Sequence, residues 1–148
     1  MKDRFATFTV QIAKISRCIR KIKTEEMSGL NLKSPHVSCL YYLYTNGAMT
    51  AKELCDVCEE DKAAVSRSID HLEKEGYIVC ESTAKKRYRS PLLLTEKGKE
   101  IGAYVAETID RIVDEAGVGL SDTDRAIFYK SLLLIGENLQ NICDKYGE

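Results

Sequence analysis

The sequence predicts a mainly α-helical fold that carries one small β-hairpin. Three observations lead there. Apolar residues recur at helical spacing along most of the chain, one stretch near the middle turns β-prone, and capping residues and glycines mark the borders between segments. At 148 residues with 44% hydrophobic and 30% charged side chains, the chain has the composition of a folded, soluble domain with a sizeable core. The longest apolar run, Cys39 to Tyr44, is six residues, far short of a membrane span. Charges interrupt Met1 to Lys23 throughout, so neither a signal peptide nor an anchor is expected there, and the expected location is cytoplasmic.

The first helix is carried by Phe5, Phe8, Ile12, Ile15, Ile19 and Ile22, which step by three and four. Arg4, Lys14, Arg17, Arg20 and Lys21 occupy the other face, and the pattern fades at Thr24 into a loop around Gly29. Ser34-Pro35 reads as N-cap and first helical position of a second helix, with Val37, Leu40, Tyr41 and Tyr44 inward and Asn46-Gly47 as its end. Thr50 with Glu53 forms a capping box for a short third helix through Leu54 and Cys55. Asp61 caps a fourth, in which Ala64, Val65, Ile69 and Leu72 keep step until Gly76.

The period then changes. Tyr77 to Ser82 and Ser90 to Thr95 are two extended segments, the second demoted to an edge by Pro91. Their connection holds Lys85, Lys86, Arg87 and Arg89, four cations in five positions. Glu96 to Ala116 is helical again, with Ile101, Tyr104, Val105, Thr108, Ile112 and Val113 in step, and Gly117 and Gly119 break it. Ser121 caps a last helix striped by Phe128, Leu132, Ile135, Leu139 and Ile142.

The net charge of −1 hides a gradient: +5 over residues 1–34, −1 over 35–95 and −5 over 96–148. Screening limits what a partner senses to about 8–10 Å, so the local cluster at 85–89 matters more than the total. The six cysteines are expected to be free thiols, and Cys55-x-x-Cys58 lacks the second pair or spaced histidines that a zinc site needs. No metal or cofactor is expected. Glycine-rich phosphate loops, H-E-x-x-H and G-x-S-x-G are absent from the sequence, so an enzyme is not expected.

A short helix, a turn, a projecting helix and a basic hairpin make a winged helix-turn-helix. The helix fits a DNA major groove, and the hairpin reaches the neighbouring phosphates or minor groove. The stretches Thr50-Ala51-Lys52-Glu53-Leu54, Asp61 to Arg67, Leu72 to Ile78 and Leu94-Thr95-Glu96-Lys97-Gly98 closely resemble the MarR (multiple antibiotic resistance regulator) family of bacterial transcription regulators. Gly119-Leu120-Ser121 and Asn138-Leu139 are also similar to the family.

That resemblance implies a dimeric, ligand-responsive repressor of double-stranded DNA. Residues 1–33 and 96–148 would pair two subunits, and 34–95 would form the DNA-binding lobe. Lys62, Ala63, Ala64, Ser66 and Arg67 would face DNA from the recognition helix, and Lys85, Lys86, Arg87 and Arg89 from the wing. A small-molecule effector would lie near His36, Tyr41 and Tyr44. The family's Asp-x-Arg wing pair falls on Lys86 and Tyr88, so an arginine would enter the groove without an orienting carboxylate. Glu59 stands where a turn glycine is usual, and Glu59-Glu60 sets two acids beside the expected phosphate path. Two alternatives follow: a winged-helix protein-interaction module without DNA binding, and a regulator whose cysteines sense oxidant or metal. His71 has two readings, a phosphate contact or plain surface.

Overall fold

A computed structural model describes residues 3–81 and 89–147. The order is α1 (Arg4–Glu26), α2 (Ser34–Asn46), α3 (Ala51–Val57), α4 (Lys62–Lys74), β1 (Ile78–Cys80), β2 (Leu92–Leu94), α5 (Glu96–Ala116) and α6 (Asp122–Asp144), with a 3₁₀ turn at Ser28–Leu30. This is the mainly helical fold with a two-stranded hairpin that the residue pattern predicts. The chain forms two compact units, residues 1–110 and 111–148.

In the first unit the core gathers around α2. Val37, Cys39, Leu40 and Leu43 are buried there with Leu54 of α3, Val65, Ile69 and Leu72 of α4, Leu92 of β2 and Val105 of α5. Neighbours surround α2 on several sides, so its buried positions spread beyond one stripe. Cys39 and Leu43 lie inside, whereas Tyr44, expected inward, is exposed. The buried positions of α5 are Gly98, Gly102, Val105 and Thr108, a step of four, three and three. Two of the four are glycines, which an apolar count passes over. A methyl group on Gly102 would stand 3.0 Å from the Tyr44 side chain.

The hairpin pairs antiparallel, with Ile78 opposite Leu94 and Cys80 opposite Leu92. Pro91 sits just before β2, and Leu92 exchanges backbone hydrogen bonds with Met49 at 2.7 and 3.4 Å. β2 is therefore flanked on both sides rather than forming an open edge.

Local chemistry explains the ends. Asp61 Oδ1 accepts from Ala64 N (2.7 Å) and starts α4. At the other end Tyr77 N donates to Leu72 O and Gly76 N to Glu73 O, with Gly76 at φ +78°, a Schellman ending. Thr95 then locks the next helix to that ending: its hydroxyl donates to Gly76 O (2.6 Å) and accepts from Gly98 N (3.0 Å). Lys97 Nζ donates to Glu75 O (2.7 Å) and lies 4.5 Å from the centre of the Tyr77 ring. Gly98 passes so close to Tyr77 that a Cβ would be 1.9 Å from its carbonyl oxygen.

The start of α2 differs by one residue from the expected cap. Lys33 precedes the helix, and its N–H is taken by His36 Nδ1 (3.0 Å). Ser34 lies inside the helix, its N–H bonded to Thr24 Oγ1 (3.1 Å), so its hydroxyl does not cap. At the chain's start Asp3 Oδ1 caps α1 through Ala6 N (2.8 Å).

The second unit holds the end of α5, a tight turn and α6. Ser121 accepts from Asp124 N (3.1 Å), the cap that its position before two acids predicts. Arg125 reaches back to Gly117 O (3.4 Å) and lies 3.9 Å from Asp114.

Candidate nucleic-acid interface and adjoining cavity

α4 buries Val65, Ser68, Ile69 and Leu72 and exposes Lys62, Ala63, Ser66 and Arg67 on the opposite side. Ala64 is half-buried between the two faces. Of the wing cations, Arg89 is exposed, and Lys85, Lys86 and Arg87 lie outside the described residues. Thus the helical part of the set expected to face DNA shares one surface, with small side chains near the helix start and a guanidinium one turn on.

Beside that surface lies a concavity of about 370 Å³ lined by Lys33, Pro35, His36, Arg67 and His71. His36 and His71, 35 positions apart, stack with ring centroids 4.1 Å apart and planes 11° from parallel. His71 Nε2 lies 3.0 Å from Asn31 O. Burial, then the neighbouring His71 and Lys33, lowers the His36 pKa from 6.5 to about 4, so its ring is neutral at pH 7. His36 thus belongs beside α4 rather than with Tyr41.

The acids of the α3–α4 turn do not face this surface. Glu59 Oε1 meets Lys23 Nζ at 2.5 Å and also accepts from Ser38 Oγ, and Lys23 Nζ donates to Ser38 Oγ at 2.7 Å. Burial opposes ionisation of Glu59, but the hydrogen bonds from Lys23 and Ser38 outweigh it and hold the carboxyl below its ordinary value. Glu60 Oε2 pairs with Arg20 at 2.7 Å. The expectation of two acids beside the phosphate path is therefore corrected: both turn towards cations of α1, which neutralise them.

Lys23 went unnoticed in the residue pattern, yet it is the buried residue of α1. The available signal was its place one turn after Ile19 and next to Ile22, on the apolar side of the helix. These ion pairs border a cavity of about 510 Å³ whose apolar wall includes Ile12, Ile15, Ile19 and Ile109, with Tyr41 and Tyr42 alongside. Of the three residues expected near an effector, Tyr41 lines it, His36 lines the other concavity, and Tyr44 packs on Gly102.

The cysteines are free thiols among the described residues. A hydrogen bond with Cys39 holds the Cys58 thiol below its ordinary value, and the same bond, with burial, pushes Cys39 up. No group of three or more His, Cys, Asp or Glu poised for a metal occurs among the described residues. No helix among them is long and apolar enough to cross a membrane.

The MarR family model matches residues 28–87, which contain α2 to β1. The chain is 32% identical over 90 residues to YwoH, an uncharacterised helix-turn-helix transcriptional regulator of Bacillus subtilis, covering 61% of this chain and 66% of that one. A MarR protein from Peptoclostridium difficile superposes with a TM-score of 0.85 at 20% identity, covering 99% of this chain and 96% of that one. A putative MarR family transcriptional regulator from Listeria monocytogenes, solved with a 26mer DNA, gives 0.82 at 24% identity over 95% and 91%. With the helix-turn-helix, the Thr95–Gly98 lock and the two-stranded hairpin in place, residues 28–87 match the MarR family and the chain shares the fold of the MarR-family structures on which it superposes.

Proposed function

We propose that this chain is a DNA-binding transcription regulator that acts as a homodimer and releases DNA when a small molecule occupies the 510 Å³ cavity. The observation that carries the DNA reading is the exposed face of α4, where Lys62, Ala63, Ser66 and Arg67 lie opposite the buried Val65, Ile69 and Leu72. A helix held from behind in this way can enter a major groove, with its small N-terminal side chains against thymine methyls and Arg67 on a base or phosphate. Arg89 and the cations at 85–87 would contact the flanking backbone. A relative solved with DNA supports the reading.

The dimer rests on apolar surface. Phe5, Ile12, Ile15 and Ile19 of α1 and Phe128, Leu133, Leu139 and Ile142 of α6 are between 43% and 78% exposed. A second copy would cover such stripes and set two α4 helices at successive half-sites. The cavity lies between α1 and the turn before α4, so a ligand there would favour one spacing of the two lobes over another and lower DNA affinity by its differential binding energy. Residues 34–95 would be the DNA-reading lobe, flanked by dimerising helices, and repression is the expected sign.

Fluorescence anisotropy with DNA from upstream of the chain's own gene tests this. Affinity should fall steeply with salt, and Arg67→Ala should weaken binding by about 1–3 kcal/mol. Absent or salt-insensitive binding would count against it and favour a protein-interaction module. One observation supports a thiol-sensing variant: the hydrogen-bonded Cys39 and Cys58 tie α2 to the turn before α4. Unchanged DNA affinity after peroxide would remove that variant.

A further inference from the structure

Two buried polar atoms among the described residues have no hydrogen-bond partner, Ser34 Oγ and Glu60 Oε1. They come from different elements, the start of α2 and the turn before α4, yet both residues line the same 510 Å³ cavity. The Glu60 side chain is only 5% exposed. A buried acceptor left unsatisfied is costly, and a protein that keeps two at one cavity has left bonding capacity for a visitor.

The charges around them define that visitor. Glu60 spends Oε2 on Arg20, and Glu59 spends Oε1 on Lys23 and Ser38. Lys23 Nζ in turn is shared between Glu59 and Ser38. What remains in the cavity wall is a covered carboxylate oxygen with open lone pairs and a covered hydroxyl that accepts as readily as it donates, with the unspent N–H groups of the half-exposed Arg20 as the feature that would compete for an anion. Burial and then Glu59 push the pKa of the Tyr42 phenol up, so its ring stays uncharged beside the cavity. An incoming carboxylate would meet Glu60 Oε1 without a proton between them. An incoming ammonium would donate to it, and the tyrosine faces offer further attraction to a cation. The isoleucine wall provides for an apolar body, and the volume lies within the roughly 300–1,000 Å³ usual for small-molecule sites.

We propose that this cavity binds an amphipathic amine, its ammonium donating to Glu60 and Ser34 and its apolar body lying against Ile12, Ile15 and Ile19. The inference rests on reading the cavity as the effector site, and it names the chemistry of the effector.

Three probes of one shape test it by isothermal titration calorimetry on the full chain: 2-(1-naphthyl)ethylamine, 2-(1-naphthyl)ethanol and 1-naphthylacetate. The expected order is amine, alcohol, carboxylate, with at least ~10-fold between the first and last, as a charge-assisted hydrogen bond provides. Glu60→Gln should reduce that preference to within ~2-fold, because it removes the charge and keeps the shape. Ser34→Ala should weaken amine binding by a smaller factor. A carboxylate or alcohol that binds as tightly as the amine overturns the proposal, as does an unchanged preference in Glu60→Gln or the failure of all three to bind at millimolar concentration. If Glu60→Gln does not fold, the order of the three probes on the unaltered chain still decides. DNA anisotropy, run separately, keeps the two readings apart. Amine binding without DNA binding upholds the ligand chemistry and removes the regulator, whereas DNA binding with no amine preference overturns the ligand chemistry alone.

Discussion

α4 and α6 are both amphipathic helices, but they satisfy their apolar faces differently. α4 has 13 residues and buries Val65, Ile69 and Leu72 completely or nearly so within its own unit. α6 has 23 residues and buries none, leaving Leu133 69% and Leu134 56% exposed. α1 shows the same condition in inverted form: its isoleucines are exposed, and its buried residue is a lysine. The contrast teaches that an apolar stripe reports a need for a partner without saying which chain supplies it. For α4 the partner is α2; the stripes of α1 and α6 are left exposed among the described residues.

The sharpest way to break the comparison is to replace one leucine on each helix, by a smaller side chain in α4 and by a charged one in α6. Leu72→Ala should cost about 2–5 kcal/mol in urea unfolding, because a fully buried side chain leaves a cavity behind. Leu139→Asp should leave folding of the first unit nearly intact and instead shift sedimentation towards the monomer. Equal losses of unfolding free energy for both, with no change in assembly, would erase the distinction.

The next effect concerns α1. Lys23→Met should destabilise by about 1–3 kcal/mol, since Glu59 and Ser38 lose their shared partner. Glu59 is ionised more readily in the fold than in the unfolded chain. Its contribution is therefore complete above the ordinary glutamate value and lost as pH falls through its lower folded value. Urea titrations at successive pH values should show that acid-side slope flattened in Lys23→Met.

His36 acts in the same direction over a neighbouring window. Its folded pKa of about 4 lies below the 6.5 of an unperturbed imidazole, so the unfolded chain takes up the proton first as pH falls. Stability from this site should be full above about 6.5 and decline towards 4. His36→Gln should remove that part of the slope. The smallest effect is local: Asp61→Ala, which removes the α4 cap, should cost about 1 kcal/mol in thermal unfolding.

What could be read from residues alone follows from range. Asp61, Gly76, Thr50 with Glu53 and Ser121 act within a turn or two, so their chemistry is written in neighbouring letters. The same holds for the face of α4 that carries Lys62, Ser66 and Arg67, because burying Val65, Ile69 and Leu72 forces it outward. Long-range encounters were not legible. Nothing near Glu59 indicates Lys23, 36 positions earlier, and nothing near His36 indicates His71. Ser34 looked like a cap because the pairing of its N–H with Thr24 and of Lys33 with His36 depends on how α1 meets α2. The glycines of α5 escaped because a helix face can be buried by being small as well as by being apolar.

Gly98 carries the last consequence. With Tyr77 O where a Cβ would have to be, and Thr95 and Lys97 bonded to the end of α4, the joint between α4 and α5 has no slack. In mechanical terms it is a welded elbow rather than a hinge. A twist applied along α5 arrives at α4 without being absorbed on the way, so torque, and not only distance, can pass through this joint.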